Sequence, residues 1–226
     1  MVKKKEKVLV LPRKDKDGKY YISHSQLTKW KKSKRDYIRS YFFGESEDNP
    51  ALQLYGDFGT KVGESYENND FSAWEEEEAM FLKTLPCLDE FEREIKLNMK
   101  GFYVLGYIDS NTKADGYVKE LLDYKTGEVD KRKADYESDD YWQVDIYAAA
   151  LRQEYNKLPD KGSVVLIGRV GNAFQGEELN LSMEATIIDR PISDERCDTV
   201  LGQVQEVAEE ISAYYSTYLK LIGECN

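Results

Sequence analysis

Apolar residues recur along the chain at two different spacings, which alternate. A period of three to four residues, typical of a helix with one buried face, occurs in five segments. The predicted helices cover residues 22–44, 50–68, 74–85, 138–155 and 193–222. In the first of them, Ser23 and Gln26 have the spacing of a capping box, and Gly44 marks the expected end.

The period falls to two residues in the middle of the chain, which predicts strands. Residues 91–126 contain three such runs, so we expect an antiparallel meander. Two more strands are expected at 163–170 and 179–188. A chain of 226 residues, 41% hydrophobic and 33% charged, fits one globular domain with a core of its own.

The cysteines and the apolar runs indicate the compartment. Cys87, Cys197 and Cys225 form no Cys-x-x-Cys pair, so neither a disulfide framework nor a cysteine metal site is expected. No run approaches the roughly 18 apolar residues of a membrane helix, and the N-terminal apolar stretch is too short for a signal peptide. We therefore expect a cytoplasmic protein without membrane contact.

Charge is distributed unevenly along the chain. Residues 1–41 contain 14 Lys or Arg against 4 Asp or Glu, a net charge of +10, so the remainder carries −21 of the total of −11. A basic end on an acidic body can hold a polyanion in one groove and repel it elsewhere. A solvated helix face preceded by a disordered basic tail would give the same distribution and remains an alternative.

Two acids and a lysine mark the central strands as a candidate site. If TKADG (112–116) is the turn of a hairpin, Asp109 and Asp123 are equally far from residue 116 and face each other. Opposed like charges destabilise a sheet, and a divalent cation with oxygen ligands removes that repulsion. Lys125 shares the face of Asp123, where its ammonium could hold or deprotonate a metal-activated water. The pattern predicts phosphodiester hydrolysis, and an ordinary charged surface hairpin is the alternative.

Five segments, in order, resemble motifs of the PD-(D/E)xK nuclease superfamily, and more closely its RecB-like branch, which includes CRISPR-associated and bacteriophage exonucleases. They are ISHSQLTKWKKSKRDY (22–37), GTKVGESYE (59–67), GYIDS (106–110), LLDYKTG (121–127) and QVDIY (143–147). The resemblance implies a restriction-endonuclease-like α/β fold, a mixed central β-sheet flanked by helices. In that single domain, residues 1–21 would be a basic extension, 22–155 the motif-bearing core, and 156–226 strands with a C-terminal helix.

The resemblance also implies roles for individual residues. Asp109, Asp123 and the main-chain carbonyl of Tyr124 would bind Mg²⁺ or Mn²⁺, and Lys125 would position the attacking water. Gln143 and Tyr147, four apart on one helix face, would grip DNA or orient the lysine. A core helix whose polar groups simply find partners is the alternative for these two.

One serine and several basic residues near these motifs are candidates for DNA contacts, the basic ones through phosphate neutralisation. The candidates are Ser25, Lys29, Lys32 and Arg35 in the first helix, and Lys131, Arg132 and Lys133 in the loop that leaves the acidic strand. A solvated helix face and a solvated turn are the respective alternatives.

The chain departs from the family pattern at two places. Gly63 stands where the RecB-like branch has a metal-binding histidine, and Glu67, one turn further along the same helix, is our replacement ligand, directly or through water. The only histidine, His24, is interpreted as a local structural residue. Ser33 lies where some members have a cluster-binding cysteine, and no trailing cysteine cluster follows, so we expect no iron–sulfur cluster.

These features together predict a metal-dependent deoxyribonuclease, an exonuclease acting on DNA ends or single strands in recombination, repair or phage DNA processing. It would act in the cytoplasm of a bacterium or a phage-infected host cell. The acidic body predicts a ring of identical subunits or an assembly with a recombination or replication protein. Two alternatives remain: a nuclease-fold module that binds nucleic acid without cleaving it, and a structural or inhibitory protein-interaction module.

Overall fold

The computed structural model describes residues 9–45 and 49–223, and within them it shows one mixed sheet of six strands with helices on both faces. The strands are β1 Tyr21–Ser23, β2 Glu90–Met99, β3 Phe102–Ala114, β4 Tyr117–Gly127, β5 Lys161–Val170 and β6 Asn180–Arg190. The helices are α1 His24–Lys32, α2 Lys34–Tyr41, α3 Pro50–Glu67, α4 Glu76–Thr84, α5 Val129–Glu137, α6 Gln143–Tyr155 and α7 Asp194–Leu221. This architecture confirms the predicted α/β class.

Strand β3 is the centre of the sheet because it pairs with three other strands. Antiparallel β2 occupies one side of β3 from Phe102 to Asn111. The other side is shared: parallel β1 pairs with β3 as far as Leu105, and antiparallel β4 takes over at Ser110. In the part of the chain that the structure describes, residues 106–109 therefore have no strand partner on that side, which leaves a gap in the sheet.

A β-bulge sets the register of the β3–β4 hairpin. The turn is only two residues long, Asp115 and Gly116, both with positive φ (54° and 84°), so the predicted five-residue loop is wrong. The register then shifts between Thr112 and Lys113, which adds one residue to β4. Beyond the bulge Ser110 pairs with Leu122, and continuing that register places Asp109 opposite Asp123, as the sequence predicted.

The first predicted helix, 22–44, is wrong as a single element. Residues 21–23 form β1, and Ser33 separates α1 from α2 with an extended backbone (φ −158°, ψ 100°). The Ser33 N–H bonds to the carbonyl of Lys29, while its side chain accepts from the N–H of Asp36. One serine therefore ends one helix and caps the next, a role its sequence context does not distinguish from a mid-helix serine.

The predicted helix 138–155 also begins later than expected. Helix α6 starts at Gln143, and an additional helix, α5, covers 129–137. Lys131, Arg132 and Lys133 therefore lie on a helix and not in a loop. The predictions for the remaining helices, at 50–68, 74–85 and 193–222, and for all five strands are confirmed.

Two groups of helices bury the two faces of the sheet, and the first group combines helices from both ends of the chain. On one face, α1, α6 and α7 supply side chains such as Trp30, Ile146 and Val204, and on the other α3 and α4 supply Phe58 and Leu82. The described part of the basic extension is attached to this body. Leu11 is buried in the first core, and the Val10 N–H donates to Ser212 Oγ in α7.

The lysine-rich segment 3–7 and Cys225 lie outside the described residues. Of the other two cysteines, Cys87 is exposed and Cys197 is buried, and both are free thiols. In the described ranges, every helix is too short or too polar to cross a bilayer.

Candidate active site

Asp109 lies at the edge of the gap where β3 changes partners. The β3–β4 ladder stops at Ser110, and the Tyr124 N–H donates to Asp109 Oδ2 at 2.7 Å. A carboxylate thus replaces the backbone carbonyl that would continue the ladder. The two strands therefore separate at the point where the acids face each other, and the acids are held beside an opening.

Asp123 is fully buried, and its two oxygens have very different surroundings. The Lys125 ammonium lies 2.7 Å from Oδ2, whereas Oδ1 is buried without a hydrogen-bond partner among the described residues. Lys125 Nζ also donates to the main-chain carbonyl of Tyr124 at 3.3 Å. Both Asp123 and the Tyr124 carbonyl are predicted cation ligands, and both already face a cation, the lysine ammonium.

Burial and the neighbouring acid change the protonation of Asp109. Burial, reinforced by the negative charge of Asp123, raises the pKa of Asp109 to about 7, although Lys125 and the Tyr124 N–H act in the opposite direction. Burial would lower the pKa of Lys125, but the charges of Asp123 and Asp109 raise it above its usual value. Lys125 is therefore an ammonium at neutral pH, which suits it to orient a water rather than to deprotonate one.

The first turn of α6 reaches the same carboxylates. Gln143 Nε2 donates to the hydroxyl of Tyr147 at 2.5 Å, and both side chains lie at the site, as their four-residue spacing predicted. Tyr147 is buried, and the charges of Asp123 and Asp109 contribute to raising its pKa after the larger effect of burial. The helix thus presents a rigid amide–phenol pair.

Tyr141 is a site residue that the sequence did not reveal. Its hydroxyl donates to Asp123 Oδ2 at 2.6 Å and lies 3.1 Å from Gln143 Oε1. Burial, followed by the charge of Asp123, raises the pKa of Tyr141, so the hydroxyl keeps its proton. Tyr141 lies just before α6, although the sequence placed it inside the predicted helix 138–155, and none of the five motifs includes it. Only its position two residues before Gln143 could have drawn attention to it.

His24, interpreted from the sequence as a local structural residue, also borders the site. It begins α1 next to the gap, and its ring lies edge-on to that of Tyr141 at 5.9 Å. Burial, and then the charges of Lys125 and Lys31, lower the pKa of His24 to about 3. The ring is therefore neutral.

Helix α3 carries both positions considered for a further metal ligand. Among the described residues, a Cβ built at Gly63 would meet nothing within 4 Å, so the position that resembles that of the RecB-like histidine is open space. Glu67 is exposed at the last turn of α3, and it raises the pKa of Glu92 on β2 in addition to the larger effect of burial. Across the 9–45 and 49–223 ranges, no three acidic, histidine or cysteine side chains are grouped closely enough to hold a metal ion. Glu67 as the replacement ligand, directly or through water, stays a prediction.

The oxygen atoms present nevertheless fit a hard divalent cation. Mg²⁺ needs only one or two carboxylates, with waters or substrate phosphates in its other positions. Among the described residues, Asp123 Oδ1 is a buried acceptor without a donor. Burial and the charge of Asp123 raise the pKa of Asp109, and a cation bound between the two carboxylates would offset both effects. Residues able to hold such a cation are Asp109, Asp123 and, through its carbonyl, Tyr124.

The candidate DNA-contacting residues fall into two groups. On α5, Lys131, Arg132 and Lys133 each have an acidic partner three or four residues away on the same helix. On α1, Lys29 donates to Ser40 and Ser25 bonds to Ser23. Lys32 on α1 and Arg35 on α2 are exposed. The basic charge of the first group is therefore largely balanced locally.

Comparison with known proteins identifies the family. No curated protein matches the chain. A solved structure from Eubacterium rectale, provisionally described as an exonuclease, is 15% identical over 91% of this chain and 83% of that chain, with a TM-score of 0.49. The model of the PD-(D/E)XK nuclease superfamily matches residues 69–219, well over half of the 226 residues, and includes Asp109, Asp123 and Lys125. The chain belongs to the PD-(D/E)XK nuclease superfamily and has its restriction-endonuclease-like α/β fold.

Proposed function

We propose that this protein is a metal-dependent deoxyribonuclease of the RecB-like branch, acting as an exonuclease on DNA ends or single strands. One observation carries the proposal. At the point where β3 changes partners, the buried carboxylate of Asp123 lies beside a second acid, Asp109, and the ammonium of Lys125. Among the described residues, no hydrogen-bond donor contacts Asp123 Oδ1. Family membership implies a nucleic-acid substrate, and the acid–acid–lysine arrangement supports hydrolysis over binding alone.

Each residue of the site has a separable role. Asp109 and Asp123, with the Tyr124 carbonyl, would hold Mg²⁺ or Mn²⁺, which when bound makes a water nucleophilic and stabilises negative charge on the phosphate. Lys125, charged at neutral pH, orients the attacking water and compensates charge that develops on the phosphoryl oxygens. Gln143 and Tyr147 present polar groups from a rigid helix turn, where they hold the substrate strand beside the acids.

DNA would reach the site along the basic helices α1 and α2. Lys32 on α1 and Arg35 on α2 are exposed, and the N-terminal end of α1, with Ser25 and His24, adjoins the gap in the sheet. Cation side chains along such a path bind phosphates without reading sequence. The strongly acidic remainder of the chain would repel DNA elsewhere, which supports action in an assembly of identical subunits or with a recombination or replication protein.

Cleavage of end-labelled single- and double-stranded DNA in the presence of Mn²⁺ tests the proposal. We expect wild-type protein to release short products from the ends, and Lys125→Ala to be slower by roughly 10²–10³-fold, the usual effect of removing one charge-stabilising group. Lys161→Ala is a matched control, because Lys161 also pairs with acids on the sheet but is the first residue of β5, well before Leu166, the partner of Lys125. DNA binding without any cleavage would instead favour a nucleic-acid-binding module that has lost catalysis.

Salt dependence of DNA binding tests the proposed path. The double change Lys32→Ala with Arg35→Ala should weaken binding and reduce the slope of log affinity against log salt by about 1–2. The matched change Lys131→Ala with Lys133→Ala should have a smaller effect, since those lysines have acidic neighbours on α5. Equal effects of the two double variants would show that α5 contributes as much to DNA binding as α1 and α2 do, and would contradict the proposed path.

A further inference from the structure

The segment between α5 and α6 is fixed by a buried arginine. Arg190, on β6, is 5% exposed and donates from Nη1 to the carbonyl of Tyr136 at 2.6 Å and from Nη2 to the carbonyl of Tyr141 at 3.3 Å. The ring of Tyr136 also packs edge-on against that of Tyr141 at 5.1 Å. Both the backbone and the ring of Tyr141 are therefore held in place.

The start of α6 is fixed from the other side by a second arginine. Arg196 Nε and Nη2 lie 2.9 and 3.1 Å from the two oxygens of the buried Asp145, a bidentate pair between α7 and α6. Asp145 is two residues beyond Gln143, so this pair fixes the helix turn that carries the amide. The residues on both sides of Asp123 consequently have little freedom to move.

The Tyr141 hydroxyl and the Lys125 ammonium share one oxygen of Asp123. Their distances to Oδ2 are 2.6 and 2.7 Å, whereas Oδ1 has no donor among the described residues. The Lys125 ammonium has three N–H donors and also bonds to the Tyr124 carbonyl, so one donor remains for a water at the substrate. Tyr141 is the second donor that fixes Oδ2 beside the lysine.

We propose that Tyr141 is a positioning residue for the reaction, which keeps the Asp123 carboxylate oriented, with Oδ1 toward the cation and Oδ2 toward Lys125. The inference rests on the proposed function, since it assigns a task to a residue next to the proposed catalytic pair. Gln143 Oε1, 3.1 Å from the same hydroxyl, is a second acceptor that links this task to α6. Ligand-orienting groups of this kind affect both metal affinity and turnover.

Tyr141→Phe removes the hydroxyl and leaves the ring contacts. Calorimetric titration with Mn²⁺ alone should show about tenfold weaker binding, and kcat for DNA cleavage should fall by about tenfold with a nearly unchanged KM, as for loss of an outer ligand partner. Tyr117→Phe is the matched control. Its hydroxyl also donates to a carboxylate, Asp160, at 3.0 and 2.9 Å, but near the turn of the hairpin, away from the acids.

The outcomes separate this inference from the proposed function. Loss of metal affinity and kcat in Tyr141→Phe but not in Tyr117→Phe supports the positioning role. Wild-type behaviour of Tyr141→Phe, or equal losses in both variants, overturns it while the nuclease assignment stands. Wild-type protein that neither binds Mn²⁺ nor cleaves DNA removes the proposed function itself, and the inference with it.

A fluorinated side chain provides a second measurement if Tyr141→Phe does not fold. Full-length protein with 3-fluorotyrosine at position 141 keeps both the ring and the hydroxyl. Its fluorine resonance should shift when Mg²⁺ is added, because the hydroxyl is bonded to a carboxylate that binds the cation. A resonance that does not move under saturating Mg²⁺ overturns the inference.

Discussion

Replacing Asp109 by asparagine should make the metal-free protein more stable at alkaline pH. Burial and the charge of Asp123 raise the pKa of Asp109 from 3.8 to about 7. Between these values the folded state binds a proton that the unfolded state has released, so stability falls as pH rises through that window. Asparagine cannot ionise, and its side-chain oxygen can still accept from the Tyr124 N–H, so the variant avoids the loss.

The size of the effect follows from the pKa shift. At about 1.4 kcal/mol per pKa unit, the full shift corresponds to about 4 kcal/mol, of which about 2.5 kcal/mol develops between about pH 5 and about pH 8. Constant contributions of the substitution cancel when the same two proteins are compared at both pH values. The stability difference between Asp109→Asn and wild type should therefore grow by about 2.5 kcal/mol over this range.

Urea unfolding in the presence of a chelator, at about pH 5 and about pH 8, measures this difference. Asp115→Asn is the control, because Asp115 lies in the hairpin turn, where Lys119 lowers its pKa, the opposite direction. Added Mn²⁺ should stabilise wild type, by about 2.7 kcal/mol at a hundredfold excess over Kd, but not Asp109→Asn. A stability difference between the two proteins that stays constant or shrinks from about pH 5 to about pH 8 would refute the argument that burial and the charge of Asp123 raise the pKa of Asp109.

Three further substitutions test other parts of the structure. Gly63→His should tighten Mn²⁺ binding in calorimetry, because the space beside Gly63 is open and a histidine there matches the family ligand; unchanged affinity would place the cation out of its reach. Gly168→Ala should lower the free energy of unfolding by about 1–3 kcal/mol, since its Cβ would lie 2.0 Å from Ser182 Oγ and 2.7 Å from the Glu184 carbonyl oxygen. Wild-type stability of this variant in urea would contradict the packing. Ser33→Ala should cost about 1 kcal/mol through loss of the α2 cap without changing cleavage, and a helix that runs unbroken through residue 33 would leave stability unaffected.

Local patterns were sufficient where an element depends on its own residues. The period-two runs identified β2, β3 and β4, and the long apolar stripe identified α7, because burial of one face requires that periodicity wherever the element finally packs. They failed at Ser33 and in α5. Whether a serine caps a helix or continues it, and whether a charged segment becomes helical, depends on neighbours that are remote in sequence.

The candidate site shows the same division. Equal distances from residue 116 predicted that Asp109 faces Asp123, but the register arises from a two-residue turn and a bulge that the sequence did not reveal. Glu67 was chosen by helical spacing alone, and helical spacing does not determine how far an exposed side chain lies from a sheet. The pairing of Gln143 with Tyr147 was accessible, since both residues are on one helix turn.

The sequence by itself determined the chemistry of this protein: two acids and a lysine on adjacent strands, within motifs that resemble those of a nuclease superfamily to which the chain belongs. Only the tertiary structure decided which other groups meet them. Tyr141 reaches Asp123 because Arg190, 49 residues further along the chain, holds its backbone, and the gap at Asp109 exists because β1 and β4 share one side of β3. Such contacts join residues distant in sequence, and their geometry depends on the packing of the whole sheet, which periodicity along the chain does not encode.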